Sequence, residues 1–331
     1  MFVMMLIVVG GLFLLAMSCR VVVSTGLTEA GVRADFFESL DTTTTYWQDL
    51  STRLPSTTKK ETYGFLGSIP QMREWGSGRL AKGIRSETYD IESQEYEATI
   101  AVDRKEIEDD QTGQIRLRIQ EMAGYAATHK DYLIEQLLIN GESVGFHAYD
   151  GVPFFNANHV SGASGAQTNL LTYGAADADN PTQAEFRAAL TQAIAAMIAY
   201  RDDTGQPKRV TPAGLVCVVP PTMLFTALEA INLQLVGTGA IGAAALQSNV
   251  IQNAARVIAL PGLTDASEWY LLKTDVPIRP FIFQDRLPVE FQAVAEGSED
   301  AFIKGRFLYG VRARYCMTYG YWQYAVRTDF T

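Results

Sequence analysis

Three histidines and one aspartate are the residues of this 331-residue chain best suited to do chemistry. His129, His147 and His159 are its only histidines, and Asp150 lies between the last two. A carboxylate beside imidazoles could act as a base or hold a metal, so a hydrolytic site at His147, Asp150 and His159 is one hypothesis. Their spacing matches no metal-binding motif, and packing or turn-stabilising roles explain the same residues.

The remaining reactive residues predict no catalytic centre. Cys19, Cys217 and Cys316 lie far apart without a CxxC pair, which favours free or buried thiols over zinc or a disulfide framework. The chain contains no GxSxG, P-loop, GxGxxG or HExxH motif. The glycine-rich run 237–242 follows a predicted helix, so it lacks the strand that precedes a dinucleotide-binding loop. We therefore expect no enzyme, no cofactor and no metal.

The elements that would position these residues predict an α+β fold. Apolar residues recur at helical spacing from Gln114 to Asn140, and a second helix begins at Thr182, where Glu185 completes a capping box. The run 214–219 is continuously apolar, as in a strand buried on both faces, and a helix follows from Met223 to Leu235. Further strands are predicted at 256–260, 269–273, 278–284, 289–295, 303–317 and 320–326.

The segment Gly78–Asp110 is polar and has almost no apolar core of its own. Residues 83–90 and 97–103 read as two extended strands, and residues 91–96 read as the polar tip between them. Since a lone hairpin is marginally stable in water, this segment needs a surface to lie on. We expect it to project from the body of the subunit with few contacts back to it.

The residues before this segment form a polar, Thr-rich arm, with one helical patch from Glu29 to Leu40. Its aromatic residues could be core residues or anchors that dock on a neighbouring molecule, since aromatic side chains are enriched at the centres of interfaces. The pattern leaves both readings open for Phe36, Phe37, Tyr46 and Trp47.

Composition places the chain among ordered globular proteins and disfavours nucleic-acid recognition. It is 47% hydrophobic and 19% charged, with a net charge of −10, and its pI is about 4.9. Phosphate would repel such a chain, so specific binding to DNA or RNA is not indicated.

Residues Met1–Cys19 form an uncharged apolar run near the minimum length of a membrane span. No Lys or Arg precedes the run, although a secretory signal normally opens with positive charge. A mis-assigned start, a signal and an anchor are therefore all open readings. The last two would favour an exported or membrane-anchored binding protein.

The order of elements, together with two motifs, resembles a known family. The central region combines GLVCVVPP (214–221) with TMLFTALEAI (222–231), and the motifs are YGFLGSIPQMREWGSGRLAKG (63–83) and YDGVPFFNANHV (149–160). The chain resembles major capsid proteins of tailed phages with the Hong Kong 97-type fold, and more narrowly the Mu-like phage major head subunits. The resemblance implies a structural protein that self-assembles into an icosahedral shell enclosing double-stranded DNA.

The resemblance also implies roles for the segments and residues. The implied division is a doubtful segment 1–20, an N-terminal arm 21–62, an extended loop region 63–113, a peripheral domain 114–180 and 297–331 with a long spine helix, and an axial domain 181–296. Candidate interface residues are Trp47, Arg73, Trp75, Lys82, Arg85, Tyr89 and Tyr96. Candidate hinge or axial-tip residues are Gly113, Gly237, Gly239 and Gly242.

The implied partners are further copies of the chain, as hexamers and pentamers. A separate scaffolding protein, a maturation protease and a portal are also implied, with non-specific proximity to packaged DNA and no membrane. The implied location is the virion capsid, assembled in the cytoplasm of a host bacterium. The departure from this pattern is the apolar start, which leaves the exported binding protein and the hydrolase as alternatives.

Overall fold

The structure is a computed structural model that describes residues 29–63, 89–109, 113–237, 246–294 and 297–331. It is a mixed helix-and-sheet protein, as the sequence predicts. Among the described residues, no helix combines the length and the apolarity needed to cross a membrane. The apolar segment 1–20 lies outside them.

The N-terminal arm begins as a helix that lies along a longer one. It comprises α1 (Glu29–Thr42), the single turn α2 (Trp47–Leu50) and β1 (Ser51–Pro55). The predicted helical patch is thus confirmed and extends slightly further. Val32 and Phe36 are 2% and 0% exposed, so this side of α1 belongs to the subunit's own core.

The predicted strand 97–103 is confirmed within a longer strand, but the predicted tip at 91–96 is wrong. The structure instead contains β2 (Lys60–Tyr63), which pairs antiparallel with β3 (Tyr89–Glu92), and then β4 (Gln94–Asp103). The predicted tip 91–96 is therefore mostly strand, and residues 64–88, between β2 and β3, lie outside the described residues.

Strand β4 is also not a projecting strand, because all ten of its residues pair with a distant strand near the C-terminus. Its alternation places Ile100 and Val102 on the side of the core, while its other face is polar and exposed. Because of that polar face, the sequence of this strand resembled a projecting arm without a core. The expectation of few contacts to the body fails for the described part of the segment.

The long helix is confirmed within one residue of its predicted end. After α3 (Arg104–Asp109), α4 runs from Gln114 to Ile139 over 26 residues and is capped by Asn140. Its N-cap is Gly113 at φ 72°, a left-handed conformation that glycine adopts without strain. Two carboxylates on α4, Asp131 and Glu135, are buried and accept backbone hydrogen bonds from other segments.

The remaining elements follow the predicted pattern with a few differences. The predicted strands 278–284 and 289–295 are one long strand with irregular register around Pro288, and the predicted start of the next strand is a helix. The elements are β5 (Leu170–Tyr173), α5 (Gln183–Ala199), β6 (Leu215–Val219), α6 (Leu224–Asn232), β7 (Leu235–Gly237), β8 (Leu246–Ser248), β9 (Arg256–Ala259), β10 (Glu268–Lys273), β11 (Phe281–Val294), α7 (Glu299–Lys304), β12 (Arg306–Tyr319) and β13 (Ala325–Phe330).

Two sheets organise the molecule. The four-stranded sheet has the order β1-β11-β12-β4, and the five-stranded sheet has the order β5-β13-β10-β6-β9. Strand β6 is fully buried, as its apolar run predicts, and α5 carries the capping box of Thr182 and Glu185. The largest core lies around the five-stranded sheet, and a smaller one lies between α1, α4 and the four-stranded sheet.

Strand pairing groups the C-terminal half differently from the predicted segments. Strand β13, placed by prediction in the peripheral domain, pairs with β10 and β5, whereas β11, placed in the axial domain, pairs with β12 and β1. Non-local pairing of this kind is set by tertiary packing and leaves little signal in a single sequence. The residue bounds of the two domains stay a prediction.

Candidate interaction surfaces

The structure brings together two of the three residues of the hydrolase hypothesis. His159 Nδ1 lies 2.6 Å from Asp150 Oδ2, and Nε2 lies 3.1 Å from Asn169 Oδ1. The ring also stacks on Trp322 at 4.1 Å between ring centroids. The His159 and Asp150 side chains are 0% and 3% exposed, so substrate could reach neither ring nitrogen.

The third residue, His147, does not join them. Its Nε2 accepts a hydrogen bond of 3.2 Å from the backbone N–H of Gly145. Asn169 meanwhile ties the His159 cluster to the chain, since its Nδ2 donates to the Phe154 carbonyl oxygen. This buried cluster thus ties parts of the irregular region 145–174 to one another and stacks on Trp322, shortly before β13.

The thiols within the described residues are not nucleophiles. Burial raises the pKa of Cys217, which is fully buried in β6, and it raises the pKa of Cys316 to about 11. Both groups therefore hold their protons at neutral pH, and the thiolate is the reactive form. Within the described ranges, no group of three or more His, Cys, Asp or Glu side chains could hold a metal ion.

Trp47, the first candidate interface residue, lies in the subunit's own core. It is 8% exposed, and its ring lies 4.6 Å from that of Phe283 between centroids. Its backbone N–H donates to Asp131 Oδ1 at 2.7 Å, and the Lys130 ammonium lies 4.3 Å from the centre of its ring. Trp47 thus fastens the arm to α4 within the subunit, and its role at an interface between subunits stays a prediction.

Tyr89 and Tyr96 are half-buried within the subunit. The Tyr89 hydroxyl lies 2.7 Å from Thr318 Oγ1, so it bonds to β12. The Tyr96 ring lies 4.6 Å from His129 and 4.8 Å from Tyr315 between centroids, and burial raises its pKa. Their partly exposed faces leave their interface role a prediction.

Most of the other candidate interface and hinge residues lie outside the described ranges. Arg73, Trp75, Lys82, Arg85, Gly239 and Gly242 lie outside the described residues. Gly237 ends β7, opposite Leu246 of β8. Gly113 forms the left-handed turn that starts α4, and nothing lies within 4 Å of where its Cβ would stand. Its backbone suits a bend, and its hinge role stays a prediction.

A groove between α4 and the four-stranded sheet was missed by sequence reasoning. We call it the spine groove. Its volume is about 440 Å³ and its walls are mainly apolar, with charged residues at the rim. The walls come from α4 (Met122, Tyr125, Ala126, His129), β4 (Tyr96, Ala98, Ile100) and β12 (Val311, Ala313, Tyr315).

Two features accompany the spine groove. Strand β4 is the last strand of its sheet, so one of its edges has no partner strand among the described residues. The outer face of α4 exposes Leu117, Tyr125 and Tyr132 by 61%, 69% and 51%. Of these three residues only Tyr125 lines the groove, and periodicity alone reports only that a helix has an apolar face.

The second surface that sequence reasoning missed is on α7. Phe302 and Ile303 are 92% and 65% exposed, and we call this pair the α7 knob. The sequence predicted a strand from Ile303 onward. The structure has a helix here because Ser298 caps its start and Gly305, at φ 60°, ends it.

Comparison with known proteins identifies a family that the chain matches. The pattern of the family described as "Mu-like prophage major head subunit gpT" matches residues 26–183 and 261–330, more than half of the chain. The Mu-like prophage FluMu major head subunit of Haemophilus influenzae is 25% identical over 298 residues, covering 89% of this chain and 70% of that protein.

Two further relatives agree with that match. The major capsid protein of Escherichia phage Mu is 25% identical over 295 residues, with the same shares of each chain. Among solved structures, the procapsid of bacteriophage JBD30 is similar at a TM-score of 0.56 and 25% identity, covering 91% of this chain and 73% of that one.

Proposed function

The chain belongs to the Mu-like prophage major head subunit family, and from this we propose that it builds the shell of a phage head by packing against copies of itself. It is a structural capsid protein, not an enzyme, and its place is the virion capsid. The observation that carries the assignment is the family match over residues 26–183 and 261–330. The similarity of fold to a procapsid subunit agrees with it.

Neither alternative function survives this assignment. The hydrolase reading is overturned, because the family is structural and the His159–Asp150 pair is closed to solvent. The exported or membrane-anchored binding protein was favoured only by residues 1–19, whereas the family match covers residues 26–183 and 261–330.

The finer architecture is our proposal, and it follows the Hong Kong 97-type pattern. Helix α4 serves as the spine helix, and the region around α5, α6 and β6 serves as the axial part that meets its copies in hexamers and pentamers. The paired strands β2 and β3 support an extended loop between them that lies over a neighbouring subunit. Strand β4, which the sequence placed in that loop, belongs to the body.

The proposed partners beyond the chain itself are a scaffolding protein, a maturation protease and a portal. The shell would enclose double-stranded DNA, and the net charge of −10 would limit non-specific adhesion of the subunit to that DNA. A large shell buries an extensive obligate interface, on the order of 2,000 Å² or more per subunit.

Electron microscopy of the purified protein, alone and co-expressed with the neighbouring genes, tests the assignment. We expect closed shells, tubes or rings of five or six subunits. A chain that stays monomeric at high concentration under both conditions would overturn it. Thermal unfolding of the same preparation is the control, since it shows whether a monomeric sample is folded.

A further inference from the structure

We propose that the α7 knob of one subunit inserts into the spine groove of a neighbouring copy. The inference rests on the proposed function and assigns one specific contact to it. It joins the two unpartnered apolar surfaces described above, one convex and one concave.

The exposure of the α7 knob is built into the structure. The Ser298 hydroxyl accepts a hydrogen bond of 3.2 Å from the backbone N–H of Ala301, and Ala301 is 8% exposed. One side of this short helix is therefore docked and the opposite side carries Phe302 and Ile303 into solvent. Two adjacent large apolar side chains held outward in this way are typical of an anchor at a protein–protein contact.

The spine groove offers a site that fits such an anchor. Its lining includes the buried apolar residues Met122, Val311 and Ala313. A volume of about 440 Å³ lies in the range of pockets that take up bulky apolar groups. Aromatic walls at Tyr96 and Tyr125 suit a phenylalanine ring, since aromatic pairs add to the stabilisation from apolar burial.

Within one molecule, the α7 knob cannot occupy its own groove. Helix α7 ends at Lys304, and the first residue of β12 in the groove is Val311. Strand β12 begins at Arg306, and the five steps from Arg306 to Val311 span roughly 17 Å at about 3.3 Å per residue. The knob lies before the start of this strand, and Phe302 is 92% exposed, so it does not fill the groove of its own subunit and contact between them requires a second copy.

The groove is lined by charges of both signs, Arg118 and Arg312 beside Glu97 and Glu121, and the proposed contact pairs Arg118 with a carboxylate of α7. Arg118 is exposed at the rim of the groove, and Glu299 is exposed at the first position of α7. Within the part of the chain that the structure describes, neither side chain has an ion-pair partner. In a chain of net charge −10, an exposed cation beside an apolar groove favours a partner that brings a carboxylate next to its apolar anchor.

The contact would be heterologous, since the surface given by one copy differs from the surface it receives. Heterologous contacts repeat around an axis and close into rings when the rotation permits. One knob and one groove per subunit therefore suffice for a closed ring of any small number of subunits, as a shell built from one chain requires.

The knob is tested by Phe302→Asp, with Val250→Asp as the matched control. Val250 is 97% exposed, so both substitutions place a charge at a fully exposed position and neither should affect folding. We expect F302D to raise the concentration at which the purified protein assembles by at least about 30-fold, a typical loss for an aromatic anchor. V250D should stay within about threefold of the wild type.

The groove is tested by Ala98→Glu, with Ala101→Glu as its control. Both alanines are exposed on β4, but Ala98 lines the groove and Ala101 does not. A98E should impair assembly as F302D does, and A101E should not. The matched outcomes separate a specific effect of the groove from a general effect of added charge on this strand.

The pairing itself is tested by charge reversal. Arg118→Glu and Glu299→Arg should each weaken assembly about three- to tenfold, and the double variant should return to within about twofold of the wild type. Reversal that fails to rescue, or F302D and A98E proteins that assemble normally, would overturn the contact and leave the family assignment intact. If F302D assembles normally alone and fails only beside the neighbouring gene products, the knob binds another protein and the proposal is wrong. A wild-type chain that never assembles would instead overturn the proposed function.

Discussion

Arg327→Ala should destabilise the subunit strongly, because this side chain neutralises several carboxylates inside the five-stranded sheet. Its side chain is only 8% exposed, and it contacts Glu268, Asp329 at 2.8 Å and Glu142 at 3.2 Å. The strand pairing of β13 with β10 places Arg327 opposite Tyr270. Removal of the guanidinium leaves these carboxylates together without a counter-charge.

The size of the stability loss depends on how well water can solvate the carboxylates that have lost Arg327. Breaking a buried ion pair costs about 3–5 kcal/mol. The Glu268, Asp329 and Glu142 side chains are 20%, 23% and 40% exposed, so water can partly resolvate them. We therefore expect a loss of about 2–4 kcal/mol, which lowers the Tm by roughly 5–10 °C for a chain of this size.

The loss should also depend on pH. Burial raises the pKa of Glu268, and Arg327 opposes that rise. Without Arg327, the folded-state pKa of Glu268 lies further above its unfolded value, so the folded protein binds the proton more tightly than the unfolded chain. The penalty is then fully present above the folded pKa and is relieved as the pH falls through it. The difference between wild type and variant should shrink on acidification from pH 7.5 towards pH 5.

Urea unfolding at both pH values, followed by circular dichroism, measures the effect. Arg256→Ala is the matched control, since it breaks a pair with Asp49 in which both side chains are about half exposed, 55% and 49%. That control should lose less than about 1 kcal/mol. A loss for R327A as small as that of the control, or one that is equal at both pH values, would refute the reasoning.

Three further predictions concern the arm, the turn before α4 and the thiols. Asp131→Ala should lower the free energy of unfolding in urea by about 2 kcal/mol, because the two backbone N–H groups at the start of α2 lose their acceptor. Asp131→Asn should lower it by about half as much, and equal losses for the two variants would contradict this prediction. Gly113→Ala should lower the free energy of unfolding by about 1 kcal/mol, because alanine is strained at the φ of 72° found there. Gly124→Ala within α4 should leave the stability unchanged or raise it, and the reverse order of the two variants would contradict the strain argument. At pH 8, alkylation followed by mass spectrometry should be slow at Cys316, because burial raises the pKa of its thiol to about 11, and slower still at the fully buried Cys217. Rapid alkylation of Cys217 in the folded protein would contradict its burial.

A substantial part of the architecture could be predicted from local signals. The period of the apolar residues located α4 within one residue, and the capping box of Thr182 and Glu185 located the start of α5. The uninterrupted apolar run 214–219 identified β6, Leu215–Val219, as a strand buried on both faces. The family could also be predicted, because order and motif survive where overall identity has fallen to 25%.

The site could be predicted only in part. Trp47 was open between core and interface, and its burial depends on Phe283, more than two hundred residues away. The α7 knob was read as part of a strand, since its helix depends on two residues at its ends, Ser298 and Gly305. The spine groove is lined by residues of four elements, α4, β4, β11 and β12, and the first two are remote in sequence from the last two, so no single segment carries its signal.

What the sequence by itself determined is everything that depends on neighbours within a few turns: helix periods, caps, apolar runs and the order of the elements. What only the tertiary structure decided is which strands pair and which apolar faces remain uncovered. Strand β4 shows the reason. Its polar face predicted a projecting arm, yet one edge of β4 pairs with β12, some two hundred residues away, and its apolar face packs on the core. That choice is made by packing rather than by local propensity.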